Sequence, residues 1–152
     1  MGIEVGRSAP DFALKDQHGQ VVRLSDFAGR KNVAIVFYPF AFSGICTGEL
    51  CEIRDNLSIF EDDDVQVLAI SCDPRHSLRA FAEAEGYAFP LLADFWPHGA
   101  VAQAYGVFDE KAGMAIRGTF LVDKDGRVRW SVVNAPGEAR PFTAYREALA
   151  GL

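Results

Sequence analysis

The sequence has 152 residues, of which 49% are hydrophobic, and its 15 basic and 21 acidic side chains leave a net charge of −6. This length and composition predict one globular domain over residues 1–152 and exclude an intrinsically disordered chain. The acidic balance argues against nucleic-acid partners and anionic membranes. No apolar run reaches the roughly 18 residues of a membrane span, and residues 1–10 lack the apolar core of a signal peptide, so we expect a cytoplasmic protein.

The predicted elements begin with a hairpin and then alternate between strands and helices. In chain order they are a hairpin at 12–14 and 21–24, strands at 32–38, 65–71 and 89–92 alternating with helices at 46–60, 74–86 and 99–105, a hairpin at 116–122 and 128–133, and a helix at 141–149. This order predicts an α/β fold with a mixed central sheet and helices on both faces.

Cys46 stands where the strand at residues 32–38 leads through a short loop into the next helix. Amide groups in the first turn of a helix have no partner within the helix and carry partial positive charge, which favours the reactive thiolate. Ser43 suits the N-cap position, where its oxygen would accept the amide of residue 46, and Pro39 stiffens the loop. The alternative is that Cys46 is a small buried hydrophobic residue.

Pro39, Ser43 and Cys46 match, in order and spacing, the signature Pro-x-x-x-Thr/Ser-x-x-Cys, and the sequence therefore resembles the peroxiredoxins. Further blocks at residues 9–12 and 117–123 resemble the same family, and those at 89–94, 95–99 and 104–108 are similar to its one-cysteine branch, alkyl hydroperoxide reductase E. The resemblance implies a thioredoxin-like fold. It also implies an antioxidant thiol peroxidase that reduces hydrogen peroxide, organic hydroperoxides or peroxynitrite through a sulfenic acid on Cys46.

The resemblance also assigns roles to Arg117 and Glu49. In the expected reaction, the Ser43 hydroxyl, the Cys46 amide and Arg117 would donate hydrogen bonds to the departing oxygen of the peroxide, and Pro39 completes the catalytic motif. A thiol with a pKa near 8.5 needs about 2.7 kcal/mol of preferential stabilisation to be mostly ionised at pH 7, and a helix terminus supplies about 0.3–2 kcal/mol. Arg117 matches the active-site arginine of the family and would supply the missing cation; the alternative is an exposed arginine at the start of a strand. Glu49 follows Cys46 by three residues and would orient Arg117 by pairing with it; the alternative is a solvated helix residue.

The other two cysteines have different expected roles. Cys51 follows Cys46 by five residues, a spacing that resembles the Q-type peroxiredoxins, in which the second cysteine resolves the sulfenic acid, and that departs from the one-cysteine branch. Five residues along an intact helix separate Cα atoms by roughly 8–9 Å, and a disulfide needs less than about 7 Å, so the helix would have to unwind. The alternative is a structural Cys51 and resolution by an external thiol. Cys72 ends a predicted strand and is expected to be a core thiol.

The resemblance implies a homodimer or larger assembly, with Phe95, Trp96 and the loop at 40–42 as candidate contacts. It implies a reducing thiol partner, which could be thioredoxin, a glutaredoxin-like protein or a low-molecular-weight thiol. No metal-ligand spacing and no phosphate-binding loop occur, so no metal or cofactor is expected. Two other functions stay open: a thioredoxin-like disulfide reductase or thiol carrier, although Cys-x-x-Cys is missing, and a non-catalytic binding or chaperone module.

Overall fold

A mixed sheet forms the centre of the fold, as the sequence predicts. The computed structural model describes residues 2–62, 64–135 and 137–152, and within these ranges the side chains other than those of Ile45 and Cys46. The strands are β1 (Ala13–Lys15), β2 (Val21–Arg23), β3 (Asn32–Phe37), β4 (Val65–Ser71), β5 (Leu91–Ala93), β6 (Phe108–Asp109), β7 (Met114–Ala115), β8 (Arg117–Val122) and β9 (Val128–Asn134). In the described part of the chain, seven of them form one sheet in the order β2-β1-β5-β4-β3-β8-β9, and β6 pairs with β7 separately. The three central strands β3, β4 and β5 are parallel, and their neighbours β8 and β1 run antiparallel to them.

Helices cover both faces of this sheet. They are α1 (Gly44–Asp55), α2 (Leu57–Asp62), α3 (Arg75–Glu85), α4 (Ala100–Ala104) and α5 (Phe142–Ala150), with a 3₁₀ turn at Leu24–Phe27. Alternate side chains of β3 point to opposite faces. Ala34 and Val36 pack in a core with residues of α1, α2, α3 and α5, and Ile35 and Phe37 pack in a second core with Ala102 of α4.

The prediction of a single helix at residues 46–60 is wrong, because the helix is interrupted at Asn56. The Asn56 backbone leaves the helical region with φ −120° and ψ 24°, and its amide donates to the carbonyls of Glu52 and Ile53. Its side-chain amide also donates to the Glu52 carbonyl at 2.8 Å. Asparagine competes in this way for the hydrogen bonds that would continue a helix, so α2 starts as a separate segment.

Two smaller differences concern strands. The strand predicted at 89–92 is displaced to β5, which begins after Pro90; proline has no amide to donate to a ladder. The short hairpin of β6 and β7 was not predicted, because two-residue strands carry too few positions to show an alternating pattern.

The strand register brings distant segments to one edge of the sheet. Phe37 at the end of β3 lies opposite Gly118 in antiparallel β8, so Arg117 lies beside the point where the chain leaves β3. Arg117 in turn lies opposite Asn134 at the end of β9. The chain that follows β9 therefore returns to the edge of the sheet where α1 begins.

Candidate active site

The backbone places Cys46 where the sequence predicts it. Tyr38 and Pro39 are buried after β3, Ser43 occupies the N-cap position of α1, and Cys46 is the third residue of the helix. The side chain of Cys46 lies outside the described part of the structure. The groups that surround the first turn of α1 define the environment that the site offers to a thiol.

The expected capping bond of Ser43 is wrong. A turn closed by the Ser43 amide and the Phe40 carbonyl brings that carbonyl within 3.0 Å of the Ser43 hydroxyl, which donates to it. Within the described residues the Ser43 side chain makes no capping hydrogen bond to the helix. The Thr47 hydroxyl and amide instead donate to the Ser43 carbonyl, both at 2.9 Å.

The loop before α1 is tied to the end of the neighbouring strand. The Ala41 amide donates to a carboxylate oxygen of Asp73 at 2.8 Å, and the hydroxyl of Ser71, the last residue of β4, donates to the same oxygen at 2.6 Å. Phe42 adopts a φ of +68°, which is unfavourable for a residue with a Cβ atom, and its ring lies 4.9 Å from the ring of Phe81. The loop therefore holds a strained backbone conformation against α3.

Glu49, Arg117 and Arg140 form a buried ionic cluster beside the first turns of α1. Arg117 is 2% exposed and Glu49 is 8% exposed, so neither is the solvated surface residue of the alternative interpretation. The Arg117 guanidinium donates to Oε1 of Glu49, which is the pairing expected from the sequence. These two residues are 68 positions apart in the chain, and the register of β3 with β8 brings them together.

Arg140 is a member of this cluster that sequence reasoning missed. Its guanidinium donates to both carboxylate oxygens of Glu49 at 3.0 Å, to the Phe37 carbonyl at 2.7 Å and to the Thr119 hydroxyl at 3.1 Å. Its backbone amide also donates to Glu49. The only hint in the sequence is a basic residue next to Pro141, at the start of the terminal helix, and many surface arginines share that context.

The electrostatic environment keeps Glu49 ionised. Burial alone raises the pKa of Glu49, but hydrogen bonds from Arg140, the charge of Arg140 and the charge of Arg117 outweigh it, so the pKa lies below its ordinary value. One carboxylate and two guanidinium groups sum to a formal charge of +1. A buried cluster with this charge next to a helix N-terminus favours an anion at the first turn of α1.

The other two cysteines lie in different environments. Cys72 is 2% exposed, and burial, together with the nearby charge of Asp94, raises the pKa of its thiol to about 12. It is therefore a protonated core residue at neutral pH, as expected. Cys51 is partly exposed on α1, with its sulfur 3.4 Å from the Tyr87 hydroxyl and 3.6 Å from a carboxylate oxygen of Glu85.

Among residues 2–62, 64–135 and 137–152, no group of three histidine, cysteine, aspartate or glutamate side chains is arranged to hold a metal ion. In the same ranges, no helix has the length and apolar character needed to cross a membrane.

Comparisons with known proteins agree with this geometry. The AhpC/TSA family matches residues 5–131. Alkyl hydroperoxide reductase E of Mycobacterium tuberculosis is 53% identical over 150 residues, which are 99% of this chain and 98% of that protein. Peroxiredoxin Bcp of Escherichia coli is 39% identical over 132 residues, 83% of each chain. The crystal structure of peroxidoxin BcpB from Mycobacterium tuberculosis superposes with a TM-score of 0.86 at 32% identity, covering 97% of this chain and 95% of that one.

Proposed function

Because the chain belongs to the AhpC/TSA family and is a thiol-dependent peroxidase of the peroxiredoxin type, we propose that it reduces organic hydroperoxides and hydrogen peroxide with Cys46 as the nucleophile. The observation that carries the assignment is the buried cluster of Glu49, Arg117 and Arg140 beside the first turn of α1, which contains Cys46. The name of the reductase from Mycobacterium tuberculosis supports an alkyl hydroperoxide as substrate. Peroxynitrite is a further candidate oxidant for the same thiolate.

The cluster and the helix terminus together account for ionisation of Cys46. The helix terminus supplies at most about 2 kcal/mol of the roughly 2.7 kcal/mol that the thiolate requires at pH 7. The net positive charge of the cluster supplies the remainder. The negative charge of Glu49 alone would destabilise the Cys46 thiolate, but the two arginines neutralise it. The hydrogen bond to the Glu49 carboxylate also fixes the direction of the Arg117 guanidinium.

In the proposed reaction, the Cys46 thiolate attacks one oxygen of the peroxide as the O–O bond breaks. The second oxygen leaves with the bonding electron pair and takes up a proton to form an alcohol or water, and Cys46 becomes a sulfenic acid. Arg117 and the first-turn amides of α1 stabilise the charge that develops on the leaving oxygen. The Ser43 hydroxyl donates to the Phe40 carbonyl and not, as expected from the sequence, to the departing oxygen, so we assign its oxygen as an acceptor of a hydrogen bond from the peroxide, and buried Pro39 shapes the loop.

The test is mass spectrometry after one equivalent of cumene hydroperoxide or hydrogen peroxide, combined with the rate of peroxide loss. Cys46→Ser should abolish turnover and leave the remaining cysteines unoxidised, and Cys72→Ala is the matched control that should keep most of the turnover. Activity above about a tenth of wild type in Cys46→Ser would contradict the assignment. Reduction of insulin disulfides without peroxide consumption would favour a disulfide reductase instead.

We further propose that Cys51 resolves the sulfenic acid. Its thiol attacks the Cys46 sulfur, a disulfide forms and water leaves, after which an external thiol (thioredoxin, a glutaredoxin-like protein or a low-molecular-weight thiol) reduces the disulfide. The partial exposure of Cys51 and its five-residue spacing from Cys46, which resembles that of the Q-type peroxiredoxins, support this. Oxidised wild type should lose about two mass units and Cys51→Ser should gain about sixteen or more. A stable sulfenic or sulfinic acid on Cys46 with Cys51 still open to alkylation would make this a one-cysteine enzyme.

The exposed aromatic residues support a homodimer that forms next to the active-site loop. Trp96 is 81% exposed, Phe42 58% and Phe95 47%, and exposed aromatic groups of this size mark interaction surfaces. Trp96→Glu should weaken association in light scattering at tens of micromolar. A monomeric wild-type protein at that concentration would contradict the proposal.

A further inference from the structure

Tyr87 connects the two positions of α1 that must separate before Cys46 and Cys51 can react. Its hydroxyl donates to the Thr47 carbonyl at 3.3 Å and lies 3.4 Å from the Cys51 sulfur. Thr47 directly follows Cys46, and its carbonyl is the helical partner of the Cys51 amide four residues later. One side chain therefore contacts both ends of the segment 47–51.

The Tyr87 hydroxyl is held firmly in this position. Tyr87 is 6% exposed, and its ring lies edge-on to Phe81 at 5.1 Å and stacks on Phe89 at 5.2 Å. The Tyr87 amide donates to the Ala82 carbonyl at the end of α3, which fixes the backbone as well. Burial and the contact with Cys51 raise the pKa of Tyr87 well above its ordinary value, so the hydroxyl remains a donor at neutral pH.

Resolution by Cys51 requires this segment to leave the helix. Cys46 and Cys51 lie in one continuous helix, in which Cα atoms five residues apart are separated by roughly 8–9 Å. A disulfide tolerates less than about 7 Å. Unwinding breaks the bond between the Cys51 amide and the Thr47 carbonyl, moves the Cys51 sulfur, and must also break the hydrogen bond from Tyr87.

We propose that Tyr87 is a positioning residue whose hydroxyl holds the segment 47–51 in its helical form and thereby limits the rate at which Cys51 resolves the sulfenic acid. The proposal rests on the proposed function of Cys46 and Cys51 and adds a control point to it. A slower resolution step prolongs the life of the sulfenic acid and leaves it open to further oxidation to sulfinic acid.

The test compares Tyr87→Phe with the matched control Tyr105→Phe. Both changes keep the ring and delete the hydroxyl: Tyr87→Phe removes its contacts with Thr47 and Cys51, and Tyr105→Phe removes its donation to the Pro10 carbonyl in the second core, away from α1. After one equivalent of hydrogen peroxide, quenched-flow mass spectrometry follows the sulfenic acid and the disulfide separately. In Tyr87→Phe we expect disulfide formation to be about two- to tenfold faster, as the loss of one hydrogen bond implies, and sulfenic acid formation to be unchanged.

Hydrogen–deuterium exchange of the reduced protein provides a readout that needs no catalysis. Amides of residues 47–51 should exchange faster by a similar factor in Tyr87→Phe and at the wild-type rate in Tyr105→Phe. Equal exchange and equal disulfide rates in both variants would overturn the proposal. A wild-type enzyme that forms the sulfenic acid but not the disulfide would also overturn the proposal, and would leave the peroxidase function intact. Absence of Cys46 oxidation would contradict the proposed function itself.

Discussion

Glu49 and Cys51 lie two residues apart on α1, and the polar groups around them are held very differently. Glu49 is buried and receives hydrogen bonds from two arginines, one of which also donates its backbone amide. Cys51 is partly exposed, and its sulfur contacts a hydroxyl and a carboxylate at 3.4 Å and 3.6 Å. The side of α1 that carries Glu49 holds its charged groups in a fixed geometry. The side that carries Cys51 is held by weaker contacts, which can break when the helix unwinds.

Arg140→Ala should produce the largest effect, because it removes most of the donors to a buried carboxylate. We expect the free energy of unfolding to fall by about 3 kcal/mol, since one partner of a buried ion pair is lost. The comparison variant is Arg54→Ala on the opposite side of α1, where the partly exposed Arg54 pairs with Asp55 and donates to the Glu85 carbonyl; this change should lower the free energy of unfolding by much less, because it leaves no buried charge unpaired. Urea denaturation of both variants measures the difference. Equal losses of free energy of unfolding in the two variants would contradict the difference between the Glu49 side and the Cys51 side of α1.

Arg117→Ala should slow peroxide reduction by about 10²-fold or more, as the loss of a preorganised donor implies. Arg117→Lys should recover only part of the rate, because lysine keeps the charge and loses the planar fork. Stopped-flow peroxide kinetics and the pH dependence of Cys46 alkylation measure the two contributions. An alkylation profile that Arg117→Ala leaves unchanged would remove Arg117 from the ionisation of Cys46.

The smallest predicted effect is the pH dependence of stability that Glu49 contributes. The pKa of Glu49 is lower in the folded protein than its ordinary value of 4.5, so its ionic bonds stabilise the fold above that value. Their contribution decreases as the pH falls below about 4.5 and through the lower folded pKa. Glu49→Gln should therefore have a lower free energy of unfolding than wild type at pH 7, and this difference should become smaller in acid. If urea denaturation gives a difference in free energy of unfolding that does not change with pH, Glu49 does not contribute the predicted pH dependence.

The elements that the sequence predicted well are those defined by local patterns. β3 and β4 match because continuous apolar runs mark buried strands, and Cys46 lies at the start of a helix because a proline-containing loop and Ser43 precede it. The predictions that were wrong depended on single hydrogen bonds. Asn56 donates to the carbonyls of Glu52 and Ile53 and so interrupts the helix, and the Ser43 hydroxyl donates to the Phe40 carbonyl, which the preceding turn places within 3.0 Å.

By itself, the sequence determined the order of the main strands and helices and the position of Cys46 in the first turn of α1, because these features depend on contacts within a few residues or on a motif that is continuous in the chain. The resemblance to a known family, and not a local pattern, supplied Arg117 as the partner expected for Glu49. The tertiary structure decided that Arg140 completes the ionic cluster, across 91 positions of sequence, and that Tyr87 reaches Thr47 across 40. Such contacts depend on the order and register of the strands, and no local pattern of residues records which distant loops the sheet will bring to one edge.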